Sequence, residues 1–368
     1  MFELTISKED LLGPLLLVAG AVDKKQSLTL LSHVLLVLDA QTLQLTATDL
    51  EIEVSARIPC VSSSQQGAIT VPAKKVVDII RSLDDGAESR IIFKEGTVSI
   101  KQGRSHFKLS TLPAEGYPKM QDEASDVELS IPTVSLVSLL QSTHFAMSQQ
   151  DVRVFLNSLL LEIEPSGLTA VAMDGHRMAV AKLPMSIGQQ FQRLLLPRKG
   201  AQDMIKLLQS ITDESVILSC GKNHIKITSN CYVFSSKLVE SRFPAYSKAI
   251  PREQDKQVLI DRDVLKRVLS RIIILANEKS RAVLLHIQAG LITFVANNQE
   301  KEEAIESLEA QTQGDELKIG VNAGYLIDVL NFLPAGLVRL SFSTTDSSIL
   351  VESLLNEHYQ YIIMPMKL

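Results

Sequence analysis

Three short segments set 125 residues apart constrain this chain more than any other feature. Val71-Pro72-Ala73-Lys74-Lys75, Leu196-Pro197-Arg198-Lys199-Gly200 and Val321-Asn322-Ala323-Gly324-Tyr325 each close a strand-like run and open an apolar-periodic helix, at intervals of 125 and 125 residues. A fixed period of that length marks one supersecondary pattern used three times. Upstream of each lies an alternating run ending in Asp or Asn: Leu43 to Asp49, Leu168 to Asp174 and Leu291 to Asn297. Short polar side chains at such ends cap their own backbone and favour a turn. Downstream, Phe107 to Ser110, Phe234 to Lys237 and Tyr361 to Met364 are late strands 127 and 127 residues apart.

Each module reads as strand, helix, several strands, second helix and closing strands. The first helices are expected over Lys8 to Ala19, Pro132 to Met147 and Asp261 to Ala276, and the second over Ala73 to Leu83, Pro197 to Ser210 and Asn322 to Leu333. Within Asp261 to Ala276, Val264, Leu265, Val268, Leu269, Ile272 and Leu275 fall on one side of a 3.6-residue turn. Arg262, Lys266, Arg267 and Arg271 fall on the other, so this helix packs on one face. His33 to Leu38, Leu159 to Ile163 and Val283 to Ile287 supply alternating strands. Helices segregated onto one face of antiparallel sheets give an α+β fold. The repeat divides the chain into modules 1–126, 127–254 and 255–368.

Composition narrows the function class. With 45% hydrophobic and 21% charged residues, the chain is neither disordered, collagen-like nor a coiled coil. The longest nearly uncharged apolar stretch, Leu11 to Val22, contains Gly13 and Pro14 and falls well short of the ~20 residues that cross a bilayer. Met1-Phe2-Glu3 opens no secretory leader, so the expected compartment is the cytoplasm. Cys60, Cys220 and Cys231 are scattered without metal spacing, and neither a metal nor a cofactor is expected.

A net charge of −5 argues against a polyanion partner until its distribution is resolved. The modules carry −4, +3 and −4, whereas the six expected helices together carry +4 and leave −9 for the remainder. Helices gathered on one side would therefore collect basic side chains for phosphate contacts, while the acidic remainder repels adventitious DNA. No zinc finger, RNP aromatic pair or recognition helix is present, so such binding would be independent of sequence.

Catalytic signatures are missing. GxxxxGKS/T, GxGxxG, HExxH and GxSxG do not occur. The nearest arrangement is Asp174-Gly175-His176-Arg177, but the same repeat slot holds Asp49-Leu50-Glu51 and Asn297-Asn298-Gln299, which preserves a turn and no proton relay. A hydrolase using Asp174 and His176 stays as one alternative, and a peptide-binding scaffold that never encloses DNA as another.

Several motifs occur together and in order. They are Thr48-Asp49-Leu50-Glu51, Val71-Pro72-Ala73-Lys74-Lys75, Gly103-Arg104-Ser105, Leu109-Ser110-Thr111-Leu112-Pro113, Asp151-Val152-Arg153 and Asp174-Gly175-His176-Arg177. Pro197-Arg198-Lys199-Gly200, Arg242-Phe243-Pro244-Ala245-Tyr246, Asn277-Glu278-Lys279 and Met364-Pro365-Met366-Lys367-Leu368 complete the set. The whole chain resembles the beta subunit of bacterial replicative DNA polymerase, the sliding clamp. That resemblance implies three similar clamp-like modules per chain in a head-to-tail dimeric ring, with helices lining a central hole. It implies no catalysis, and a role in DNA replication: encircling duplex DNA and tethering the polymerase for processivity. Its implied partners are a second copy, double-stranded DNA, the polymerase catalytic subunit, the clamp loader, and other polymerases and repair proteins that bind through short linear peptides.

The resemblance also implies sites. DNA contacts fall on Lys25, Lys74, Arg198 and Lys199, with Gln150 and Phe155 on a loop near the hole. The family pattern has a His-Gln pair and two Tyr where this chain has Gln149-Gln150 and Val154-Phe155. A peptide cleft falls on Leu156, Met173, Gly175, His176, Arg177, Met178, Pro244, Ala249, Ser348, Ile362, Met364, Pro365 and Met366. Methionine suits such a site because its unbranched, polarizable side chain adapts to different partners. The ring seam sets Phe107 and Leu109 against Ile274 and Leu275, with Lys75 and Arg104 facing Glu300, Glu302, Glu303 and Glu306. His106 stands where the family pattern has Arg.

Overall fold

A computed structural model describes residues 2–22, 28–62, 66–94, 96–120, 124–252 and 254–367. The chain begins with β1 (Phe2–Ser7), α1 (Lys8–Ala19), β2 (His33–Asp39), β3 (Thr42–Thr48), β4 (Ile52–Pro59) and β5 (Val61–Ser62). There follow β6 (Gly67–Pro72), α2 (Ala73–Ser82), β7 (Glu88–Lys94), β8 (Thr97–Gln102) and β9 (Ser105–Ser110). Next come β10 (Val127–Pro132), α3 (Thr133–His144), β11 (Ser158–Glu164), β12 (Gly167–Met173), β13 (Arg177–Pro184) and β14 (Gln192–Pro197). Beyond these are α4 (Arg198–Ser210), β15 (Ser215–Cys220), β16 (His224–Thr228), β17 (Tyr232–Lys237), β18 (Lys256–Asp261) and α5 (Arg262–Ile272). The last part holds β19 (Ala282–Gln288), β20 (Leu291–Asn297), β21 (Glu303–Glu309), β22 (Gln311–Gln313) and β23 (Leu317–Asn322). It ends with α6 (Ala323–Phe332), β24 (Leu337–Phe342), β25 (Ile349–Ser353) and β26 (Tyr359–Ile363).

The repeat is physical. Helices α2, α4 and α6 begin at Ala73, Arg198 and Ala323, which are 125 and 125 residues apart. The turns ending two of the alternating runs are also alike. Asp49 Oδ1 accepts from the amides of Glu51 and Ile52, and Asp174 Oδ1 accepts from those of His176 and Arg177. The residue after each Asp has positive φ, 76° at Leu50 and 92° at Gly175.

The chain forms two compact units. One comprises Met1–Val134 and Gln202–Leu238, the other Ser135–Ala201 and Val239–Leu368, so the chain crosses between them inside α3, inside α4 and again between Leu238 and Val239. The first unit holds a five-stranded sheet ordered β5-β1-β7-β8-β9 and an eight-stranded sheet ordered β10-β15-β16-β17-β4-β3-β2-β6. The second holds a nine-stranded sheet ordered β14-β11-β12-β13-β26-β25-β24-β18-β22 and a four-stranded sheet ordered β21-β20-β19-β23. The described pairings, including β4 with β17 and β13 with β26, are antiparallel. The architecture is α+β.

Helix ends follow local hydrogen bonding. Ser7 caps α1 through the amide of Asp10, Asp261 caps α5 through Asp263 and Val264, and Asn322 caps α6 through Tyr325. Helix α3 stops at His144, short of the expected Met147, because Ala146 and Met147 bond three residues back in a tighter turn. Likewise α5 ends at Ile272 and tightens into a 3₁₀ turn over Ile273–Leu275. Its buried stripe, Leu265, Val268, Leu269 and Ile272, leaves Arg267 and Arg271 exposed. Each fully buried Leu or Ile stabilises the unit by about 1.5–3 kcal/mol, so this face and the facing α6 hold the helix pair together.

Candidate functional site

In the second unit, one face of the nine-stranded sheet gathers an apolar floor. Side chains alternate along a strand, so Leu160 and Glu162 share a face of β11 while Leu159 and Leu161 share the other. Cross-strand register places Leu195, Leu160, Val171 and Val180 in one row over β14, β11, β12 and β13. A parallel row runs through Met173, Met178, Ile362 and Leu350 over β12, β13, β26 and β25. All of these but Met173 form one buried cluster with Phe243, against which Met173, Phe155, Val239, Tyr246 and Ile250 pack half-buried.

Three segments form the rim. The first is the strap from Val239 to Ile250. Its start is fixed by Val239 N donating to Leu195 O at 2.8 Å. Phe243 is buried in the floor, and Tyr246 N then donates to Pro244 O across Ala245, an inverse γ-turn with φ −73° and ψ 79°. Pro244 and Ala249 stay exposed on this strap. The second segment is the 3₁₀ turn Val154–Asn157, which buries Leu156 and sets the Phe155 ring edge-on to Phe243 at 6.1 Å. The third is the turn at Asp174-Gly175-His176, tied to the C-terminal segment by Met364 N donating to His176 O at 2.8 Å. Gly175 at φ 92° occupies a backbone region that other residues enter only with strain.

Arg177 locks that turn. Its Nε donates to Asp174 Oδ2 at 3.0 Å, Nη1 to Asp328 Oδ2 at 2.5 Å and Nη2 to Phe145 O at 2.9 Å. Its plane also lies over the rings of Tyr325 at 4.4 Å and Phe145 at 5.4 Å. Burial first, and the charge of Asp174 second, push the Tyr325 phenol up. With each guanidinium nitrogen engaged, Arg177 holds the rim in place. Beside it is a hollow of about 350 Å³ lined by Met147, Gln149, Asp151, His176 and Arg198, among others. Arg153 holds the Asp151 carboxyl down at about 2. Asp174 spends Oδ1 on the amides of His176 and Arg177 and Oδ2 on the Arg177 guanidinium, which makes it a turn-holding group.

The expected cleft residues separate into groups. Met178 and Ile362 lie in the floor and Met173 packs against it, while Leu156 is buried in its 3₁₀ turn; Gly175, His176, Pro244, Ala249 and Met364 are exposed along the rim; Ser348, whose carbonyl accepts from Gln254, and Pro365 are half-buried. Met366 lies elsewhere: its amide donates to Gly320 O, and its side chain lines a groove with Leu284 and Val295 over β19 and β20. Phe155, expected beside DNA, packs on the apolar floor because Phe243 offers it an edge. Phe243, Tyr246, Val239, Ile250, Tyr325 and Asp328 were not anticipated; the aromatic pair flanking Pro244 was the available signal.

The charged expectations are placed as follows. Lys25 lies outside the described residues. Lys74 and Lys75 are exposed on the first turn of α2, Lys199 is exposed on the first turn of α4, and Gln150 is exposed in a turn. Arg198 is half-buried and donates through Nη1 to Met147 O at 2.7 Å and Ser148 O at 3.2 Å. Burial, then the charge of Arg177, lowers its pKa. Phe107 and Leu109 are half-buried on β9, an end strand of its sheet, beside exposed Arg104. In the other unit Ile274 is exposed, Leu275 is half-buried, and β21 is an end strand. Glu300 and Glu303 are exposed, Glu302 accepts from Asn298, and Glu306 is already paired with Arg271.

Family models for the N-terminal, central and C-terminal domains of the DNA polymerase III beta subunit match residues 2–121, 130–245 and 247–367. The chain is 42% identical to the beta sliding clamp of Pseudomonas aeruginosa over 365 residues, covering 99% of both chains. It is 38% identical to that of Escherichia coli over 364 residues, again covering 99% of both. A crystal structure of the Pseudomonas aeruginosa sliding clamp bound to griselimycin matches with a TM-score of 0.95 at 41% identity, covering 100% of both chains. The beta subunit of Thermotoga maritima shares the fold at 22% identity, with a TM-score of 0.94.

Proposed function

The chain belongs to the DNA polymerase III beta subunit family, sliding clamps without catalysis of their own, and we propose that it closes head to tail with a second copy into a ring around duplex DNA. One observation carries this reading: likeness to sliding clamps runs through all three repeats of the chain without interruption. The clamp tethers the replicative polymerase, and its proposed further partners are the clamp loader and other polymerases and repair proteins. Its proposed compartment is the cytoplasm, and no helix among the described residues is long and apolar enough to cross a membrane.

A ring that slides needs weak contacts indifferent to sequence, which Lys and Arg on phosphates supply. Lys74, Lys199 and Gln150 are proposed for that role, with Lys25. Arg198 is assigned to holding the loop before Gln150 through the Met147 and Ser148 carbonyls. For the seam, the open edge of β9 with Phe107 and Leu109 meets the partner copy's β21 edge and its Ile274 and Leu275. Lys75 and Arg104 then face Glu300, Glu302 and Glu303, while Glu306 serves Arg271 in its own chain.

The apolar floor and its rim are the proposed dock for short partner peptides, and for griselimycin, which a 41% identical relative holds. Met173, Met178 and Met364 give this surface its adaptability. The deciding experiment measures retention on circular plasmid after loading, before and after a single cut. Protein that stays on the circle and leaves the linear molecule has a topological link; equal retention on both would return the non-encircling scaffold.

A further inference from the structure

Resting on that reading of the apolar floor as a peptide dock, we propose that Glu162 is a positioning residue that sets the dock's affinity by holding Tyr246, and with it the strap, against the sheet. Glu162 sits on the same face of β11 as Leu160 and is directly opposite Arg193 on β14. Its side chain is 6% exposed, unusual for a carboxylate at the edge of an apolar cluster. Both oxygens are used: Oε1 accepts from Arg193 Nε at 2.6 Å, and Oε2 accepts from the Tyr246 phenol at 2.5 Å.

Among the described residues, the strap has few other polar ties to the sheet. Val239 is held by the Leu195 carbonyl, Phe243 is held by burial, and Ile250 packs half-buried on the floor. Beyond the γ-turn, the amides of Tyr246, Lys248 and Ala249 bond, among the described residues, within the strap to the carbonyls of Pro244, Ala245 and Tyr246. The phenol is thus the polar link that pins this second half, and the Pro244 to Ala249 wall with it. Arg193 fixes the carboxylate, which is a short, charge-assisted acceptor for the phenol. A wall held before the ligand arrives does not have to be ordered on binding, so releasing it lowers affinity mainly through faster dissociation.

The test uses the full-length chain with griselimycin as the probe, comparing wild type with Tyr246→Phe, Glu162→Gln and Glu162→Ala. Tyr246→Phe is expected to weaken binding about tenfold, the scale of one charge-assisted hydrogen bond, through the dissociation rate. Glu162→Gln, which keeps an acceptor oxygen, recovers part of what Glu162→Ala loses. Amide hydrogen exchange in Tyr246→Phe accelerates at Lys248 and Ala249 and not in β11 or β14. Unchanged affinity in Tyr246→Phe overturns the inference, as does faster exchange spread through the sheet, which would make the pair a fastener of the sheet itself. Failure of the wild type to bind the probe sinks the dock reading and the inference built on it; binding that the variant leaves untouched sinks the inference alone.

Discussion

Arg177 and Asp328 stand 151 residues apart in sequence and are joined by a 2.5 Å hydrogen bond that ties the turn before β13 to helix α6. The same guanidinium bonds Asp174, and both of those side chains are nearly buried, at 11% and 13% exposure. Removing one member of a buried pair strands the other's charge. Arg177→Ala is therefore expected to destabilise the chain by about 3 kcal/mol in urea unfolding. Arg177→Lys restores only part of this, since an ammonium lacks the planar fork that bonds two carboxylates while covering two rings. Equal stability of the alanine variant and wild type would refute the locking role.

Met178 and Met364 separate folding from docking. Met178 is 5% exposed in the floor, whereas Met364 is 47% exposed on the rim. Met178→Ala is expected to cost about 2–5 kcal/mol of stability, and Met364→Ala less than about 0.5 kcal/mol. Griselimycin titration of Met364→Ala should nonetheless show weaker binding. A melting midpoint for Met364→Ala as low as that for Met178→Ala would show that the rim is packed core.

At the proposed seam, Glu302 and Glu303 are exposed and lie at the start of the β21 edge. Reversing both to Lys replaces attraction to Lys75 and Arg104 with repulsion, and subunit exchange between differently labelled rings should accelerate. The effect shrinks with added salt, because exposed charges are screened over about 8–10 Å. Exchange at the wild-type rate would remove these two residues from the seam.

Lys74 is exposed at the start of α2. If its ammonium meets a phosphate, Lys74→Ala lowers the slope of log affinity against log salt on short linear duplex by about 0.9. A loss of affinity with an unchanged slope would mean that its contact is not to phosphate.

His144 is expected to make the fold sensitive to acid. Its Nδ1 donates to Gln141 O at 3.0 Å, its ring lies edge-on to Phe332 at 6.0 Å, and burial lowers its pKa below the usual 6.5. A lowered folded value means that the unfolded chain binds the proton more readily. The stability contribution is thus fully present above pH 6.5 and is lost as the pH falls through the folded value. His144→Gln should show a smaller drop in melting midpoint than wild type between about pH 7.5 and 5. An identical drop would assign the sensitivity to other groups, of which His33, also lowered by burial, is the first to examine.

Local signals reported local structure. The starts of α2, α4 and α6 were legible from apolar periodicity and the strand that precedes each, and the turn after Asp174 from its short polar side chain. Of the inner face read for α5, Leu265, Val268, Leu269 and Ile272 are buried, whereas Val264 is half-buried and Leu275 falls past the helix end in the 3₁₀ turn. The far end of α3 was not, because the Ala146 and Met147 amides choose a tighter bond that apolar residues do not signal. At the proposed dock, the residues named from resemblance include Met178 and Ile362, which lie in the apolar floor, but resemblance could not separate Met366, which lies toward β19, from exposed Met364.

By itself the sequence determined a threefold repeat, an α+β class and the faces that helices and strands would bury, since each follows from spacing along a few neighbouring residues. Tertiary structure decided what those faces meet. Only the antiparallel pairing of β13 with β26 carries Ile362 and Leu350 beside Met178, and only the folded strap brings Phe243 and Tyr246 over Leu160 and Glu162. Arg177 meets Asp328, Tyr325 and Phe145 for the same reason. Such contacts join residues far apart in the chain, and their geometry is fixed by strand register and packing, which no local pattern of side chains records.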